Sequence, residues 1–177
     1  ILRCIYIGRL TNEKGLTEIL NVFELFGERK KDIRLTIAGM DEQNFIPRIN
    51  QLALEYKNIN YIGHVENIES QLENQDLLLL PSFREGFGNV VIEAAAMGIP
   101  CIGSNIYGLS DSIVNGDTGI KIDAGDKSAL YNSILKIKND PILYNNLSQN
   151  AYNRVKSNFS RSKVLAEWDY LYGRLLG

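Results

Sequence analysis

Two carboxylates, Glu85 and Glu93, flank a pair of glycines, Gly86 and Gly88, in the stretch PSFREGFGNVVIEAAAMGIP that runs from Pro81 to Pro100. The glycines let backbone approach a ligand closely. The free amides of Gly88, Asn89 and Val90 open the helix that follows, and with the positive end of its dipole behind them they favour an anion such as a phosphate. A carboxylate at that end would compete for the same amides, so Glu85 and Glu93 are better placed beside the anion, accepting hydrogen bonds from hydroxyls. Sugars and riboses supply such hydroxyls. The local pattern fits equally well a glycine turn before an ordinary packed helix.

Such a loop must be held between a strand and a helix. Asp76-Leu77-Leu78-Leu79-Leu80 is the short, mostly apolar run that a strand buried on both faces of a parallel sheet requires. The Ala-rich segment 90–97 reads as a helix closed by Gly98 and Pro100. Further strands are expected over 2–7, 34–38, 59–62, 99–103 and 120–122. Helices are expected over 16 to about 29, 44–56, 68–74, 126–138 and 141–156, and Ser160 caps a last one. In the first helix Leu16, Ile19, Leu20, Phe23 and Phe26 share one face. This alternation predicts an α/β fold with a doubly wound parallel sheet, its ligand lying at the C-terminal ends of the strands. Arg9, Gly39, His64 and Glu85 each follow an expected strand and therefore meet at one edge.

Composition narrows the possibilities. A chain of 177 residues with 45% hydrophobic content is read as one domain over 1–177 with its own core. A formal charge of −2 argues against a nucleic-acid partner, and the one basic cluster, Arg29-Lys30-Lys31, reads as a solvated helix end. Cys4 and Cys101 lie in apolar runs and read as small hydrophobes rather than a disulfide. His64 is the sole histidine, and neither CxxC nor HExxH occurs, so no metal ligand set is expected. No signal peptide or membrane-spanning run is evident, which reads as cytoplasmic. The chain opens on a strand without Met, as a piece of something longer does.

Glu85 to Glu93, continued to Pro100, closely resembles the E-x7-E signature of retaining, nucleotide-sugar-dependent glycosyltransferases of the GT-B fold, in the large family numbered four. The loop Gly8-Arg9-Leu10-Thr11-Asn12-Glu13-Lys14-Gly15 resembles that family's G-R-x4-K-G element, in which both cations contact the donor's pyrophosphate. The alternative for Arg9 and Lys14 is two solvated surface charges. Tyr107-Gly108-Leu109-Ser110-Asp111 resembles a G-G-x-x-E segment, with Tyr107 in place of a glycine and Asp111 in place of a glutamate. The likeness extends from Gly8 through the terminal helix.

The resemblance implies a Rossmann-like domain, one half of a GT-B fold, that binds a nucleotide sugar without a metal ion or other cofactor. Arg9, Lys14 and Glu85 would be the reacting groups, the cations stabilising charge on the leaving nucleoside diphosphate and Glu85 holding hydroxyls of the transferred sugar. Glu93 would bind the ribose diol, and amides of Phe87, Gly88, Asn89 and Val90 the sugar or phosphate, with Gly8 and Gly86 in the same loops. Gly63, His64 and Val65 are candidates to lie against the nucleobase, although His64 also reads as a loop histidine without a role in chemistry. Gly39 leaves room for a ligand or for the next loop. The acceptor, a sugar or lipid-linked sugar of polysaccharide biosynthesis, belongs to an N-terminal domain outside the chain, which would also make any membrane contact. The helix over about 160–176 carries an apolar stripe (Val164, Leu165, Trp168, Leu171, Tyr172, Leu175) that reads as core, or as a surface for that domain. A nucleotide-sugar epimerase and a noncatalytic binding module of similar fold remain open alternatives.

Overall fold

The strands and helices alternate as expected, in a computed structural model that describes residues 1–176 and all of their side chains except those at 28 and 176. Six strands pair in parallel: β1 (Leu2–Ile7), β2 (Ile33–Ala38), β3 (Ile59–Tyr61), β4 (Leu77–Leu80), β5 (Cys101–Ser104) and β6 (Gly119–Ile122). Their order across the sheet is β3-β2-β1-β4-β5-β6. The chain works outward from β1 to one edge, then returns to β4 and works outward to the other. β1 and β4 are thus the pair where the order reverses, and the loops leaving their C-terminal ends part to form a crevice.

Helices cover both faces: α1 (Leu16–Phe26), α2 (Ile46–Tyr56), α3 (Ile68–Leu72), α4 (Asn89–Ala96), α5 (Lys127–Asn139) and α6 (Pro141–Asn158), with α7 (Arg161–Leu176) at the end. The two-residue period of the strands divides the core into two layers. Cys4, Tyr6, Leu77 and Leu79 pack with α1, α2 and α5. Ile5, Ile7, Leu78 and Leu80 pack with Leu72 of α3 and with Val91 and Ala94 of α4. Both cysteines are free and buried, and burial pushes both thiols above their ordinary range.

Several expected boundaries shift. α1 stops at Phe26, because Gly27 turns to φ +45° and opens a 3-10 turn over Gly27–Lys30. Arg29 and Lys30 therefore belong to that turn and not to the end of an α-helix. Asp76 stands before β4 and accepts from the backbone and guanidinium of Arg3, at 2.7 to 3.0 Å. The core reading of the last apolar stripe is wrong: every described side chain of α7 is exposed, Trp168 at 50% and Leu175 at 70%. The cap on that helix is as expected, with Ser160 Oγ accepting from the Lys163 amide at 3.4 Å.

Candidate functional site

The loops after β1 and β4 are bound to each other at several points. The Phe83 amide donates to the Glu13 carbonyl at 2.8 Å. Lys14, at the end of a 3-10 turn over Asn12–Lys14, extends Nζ to the Arg84 carbonyl at 3.2 Å and to Glu85 Oε1 at 2.9 Å. Ser82, fully buried at the end of β4, donates its Oγ to the same carboxylate oxygen at 2.9 Å. Only glycine fits at position 15, where φ is +73° and a Cβ would stand 2.2 Å from the Pro81 carbonyl oxygen. The ion pair is mostly shielded, Lys14 being 15% and Glu85 13% exposed.

The β2 and β3 loops join from the other side. The amides of Gly8 and Leu10 donate to Ala38 and Met40, and the Gly39 amide donates to the Gly63 carbonyl at 2.8 Å. What comes close to Gly39 is the neighbouring loop, since a Cβ there would lie 1.8 Å from the Gly8 carbonyl oxygen. Arg9, 55% exposed, pairs through Nη1 with Glu42 Oε2 at 3.0 Å. Glu42 sits in a loop held by Asp41, whose carboxylate accepts from the amides of Gln43, Phe45 and Ile46. His64 is exposed, whereas the Val65 side chain packs on the α4 face of the core.

α4 begins at Asn89 with Gly88 before it at φ +70°, so the amides of Asn89 and Val90 have no partner within their own helix. Gly88 cannot be enlarged, because a Cβ would stand 2.5 Å from Leu109 Cδ2. The turn over Tyr107–Leu109 that follows β5 also abuts Glu85, where a Cβ on Gly108 would be 1.9 Å from the Glu85 carbonyl oxygen. Glu93 is exposed one turn into α4, while Gly86 and Phe87 complete the loop.

Lys14, Glu85 and the first amides of α4 therefore lie together at the crevice. Arg9 belongs to the adjoining β1–β2 edge, paired there with Glu42, and Glu93 stands apart from both ion pairs. At the crevice itself one cation, Lys14, and the free amides of α4 suit an anion, and one carboxylate, Glu85, is an acceptor for hydroxyls. A cavity of about 650 Å³ lies elsewhere, between α1 and α5, and is lined by Asn21, Glu24 and Tyr131 among others. No group of three or more His, Cys, Asp or Glu side chains among the described residues is placed to hold a metal ion. No helix of these residues is long and apolar enough to cross a membrane.

Ser82, Glu42 and Gly108 were not legible as site residues, since each acts through a partner distant in the chain. Gly15, whose φ and contact with Pro81 fix the two loops together, stands in the sequence only as the last letter of a motif.

Residues 3–154 match the family described as glycosyl transferases group 1, and the chain belongs to that family. Among individual proteins, it is 33% identical over 173 residues to the capsular polysaccharide biosynthesis glycosyltransferase CapM of Staphylococcus aureus, covering 97% of this chain and 46% of that one. It superposes on Anabaena HepE, solved with UDP, at a TM-score of 0.87 and 17% identity, covering 98% of this chain and 49% of that one. It also superposes on a S. aureus TarM variant, solved with UDP, fondaparinux and alpha-GlcNAc-glycerol, at 0.84 and 24% identity, covering 96% and 35%. The fold is thus Rossmann-like, one half of a GT-B fold. The chain spans about half the length of the curated relatives it matches.

Proposed function

We propose that this chain is the donor-binding half of a glycosyltransferase that carries a sugar from a nucleotide sugar to a sugar or lipid-linked acceptor, with retention and without a metal ion. The observation that carries the reading is the meeting of Lys14 with Glu85 beside the N-terminus of α4. One crevice so holds a cation for a leaving diphosphate, a carboxylate for sugar hydroxyls and amides for phosphate oxygens.

In the reaction the bond from the anomeric carbon to the diphosphate oxygen breaks, and its electron pair leaves with the diphosphate. An acceptor hydroxyl oxygen takes its place, and its proton passes to the departing diphosphate. Lys14, Arg9 and the α4 amides face the charge that grows on the leaving group, which is the interaction that lowers a barrier because it strengthens in the transition state. Glu85 orients the transferred ring, Glu93 accepts from the ribose diol, and the backbone of Gly63, His64 and Val65 receives the base. The acceptor belongs to an N-terminal domain outside these residues, on which the exposed stripe of α7 packs. That domain would make any contact of an otherwise cytoplasmic enzyme with a membrane.

Titration of the chain with UDP, GDP and ADP, and with their sugars, tests the reading. One nucleoside diphosphate should bind, and Arg9→Ala and Lys14→Ala should weaken it far more than they weaken the nucleoside. Equal losses, or no binding by any of the six, would end this assignment. With the full-length protein, NMR of the product should show the donor's anomeric configuration preserved.

A further inference from the structure

The loop that carries Glu85 is braced from a place the reaction does not use, the junction of α6 and α7. The Phe87 and Phe159 rings meet edge to face with centroids 5.7 Å apart. Phe159 is the residue that ends α6, one position before Ser160 and two before α7. The Arg154 guanidinium lies over the Phe159 ring, 5.7 Å from its centroid, and its Nη2 donates to the Asp111 carbonyl at 2.8 Å. Asp111 closes the segment whose Gly108 abuts the Glu85 carbonyl and whose Leu109 abuts Gly88. α6 is itself fastened to α4, because Ser148 Oγ donates to the Gly98 carbonyl.

Both segments that touch Glu85 and Gly88 are therefore held by two side chains of one helix end. Phe159 supports Phe87 directly, and Arg154 supports the 107–111 segment while packing on Phe159. We infer that Phe159 and Arg154 are positioning residues for the sugar-gripping loop: they set where Glu85 stands toward the transferred ring, and they join that loop to α7. The inference rests on the proposed donor site and deepens it. Neither residue is an ion-pair partner of Lys14 or Arg9, so their influence falls more on the sugar held by Glu85 than on the diphosphate held by those cations. Movement of α7 at its junction with α6 would reach Phe87 through a single ring contact.

The test separates the sugar's contribution from the diphosphate's. UDP, GDP and ADP, and their hexose conjugates, are titrated calorimetrically into the chain and into Phe159→Ala, Phe159→Leu and Arg154→Gln. In Phe159→Ala the extra affinity of the hexose conjugate over its diphosphate should fall about fivefold, the size of one aromatic pair, with the diphosphate itself within about twofold. Phe159→Leu should restore part of the loss, and Arg154→Gln should show the same selective loss to a smaller degree. Leu147→Ala, at a buried position of α6, controls for general destabilisation and should leave the increment unchanged. An unchanged increment in the Phe159 and Arg154 variants, or one that falls equally in Leu147→Ala, overturns the positioning role alone. No binding of any of the three diphosphates by the unaltered chain overturns the donor-site reading and the inference with it.

Discussion

Lys14 Nζ lies 2.9 Å from Glu85 Oε1, and this pair joins the loops that leave β1 and β4 where the strand order reverses. Lys14 also donates to the Arg84 carbonyl, and Ser82 donates to the same oxygen of Glu85, so both charges are hydrogen-bonded beyond their partner. Removing one member of such a shielded pair leaves the other short of a partner, which costs more than the pair contributes. Lys14→Ala and Glu85→Gln should each lower stability by about 1–3 kcal/mol, and the double variant by clearly less than the sum. Urea unfolding of the four proteins gives the coupling. Additive losses would mean the pair does not operate as a unit.

The second cation is also occupied. Arg9 pairs with Glu42, but both are half exposed, at 55% and 42%, so the contact is weak and salt-sensitive. Glu42 then acts as an internal competitor for any anion approaching Arg9. Glu42→Gln should tighten nucleoside diphosphate about two- to threefold at low ionic strength, with the gain fading as salt rises. Calorimetry at two salt concentrations checks this, and a weakened diphosphate in Glu42→Gln would instead make Glu42 an orienting partner of Arg9.

Three glycines differ in what an added methyl group would meet. At Gly15 and Gly39 it would strike a neighbouring carbonyl oxygen at 2.2 and 1.8 Å, with φ positive at both, whereas Gly63, at φ +79°, has nothing within 4 Å. Gly63→Ala should therefore cost about 1 kcal/mol, the strain of the left-handed backbone alone. Gly15→Ala and Gly39→Ala should cost about 3 kcal/mol or more, because the loop on the other side must move as well. Thermal unfolding ranks the three. Comparable losses would show that backbone conformation, and not the loop contact, dominates at positions 15 and 39.

Local pattern sufficed for the frame of the fold and for one half of the site. The four leucines of β4 announced a strand buried on both faces, and the spacing of Leu16, Ile19, Leu20, Phe23 and Phe26 announced the buried face of α1; all of these residues are buried. The glycines before α4 located the free amides because a helix start carries its own signals. Nothing local to Glu42 or Ser82 could name a partner, since the fold brings Arg9 to one and Glu85 to the other from elsewhere in the chain. The stripe on α7 has the same spacing whether it enters a core or faces outward, and only packing separates the two.

Asp41 links the site's support to pH. Burial pushes its carboxyl up, but the amides of Phe45, Ile46, Gln43 and Asn44 outweigh that and hold it below the ordinary carboxylate value. A carboxyl whose pKa is lower folded than unfolded adds stability that is complete above its unfolded value, near about 3.9, and is lost as pH falls through the folded one. The native state therefore gives up this contribution between roughly pH 5 and the folded pKa. Asp32, held low chiefly by its hydrogen bond to Lys138, loses its own share in the same window, so the wild-type curve alone does not isolate Asp41. Asp41→Asn does: it should cost about 1–2 kcal/mol at pH 7 and progressively less on acidification, the two proteins converging once Asp41 is protonated. Because Asp41 also fixes the loop that carries Glu42, the substitution should loosen the Arg9–Glu42 pair and make diphosphate affinity less dependent on Glu42. Urea titrations of both proteins from pH 7 to pH 3 measure the convergence, and a gap that stays constant across that range would show that the amides stabilise the protonated and ionised forms of Asp41 alike.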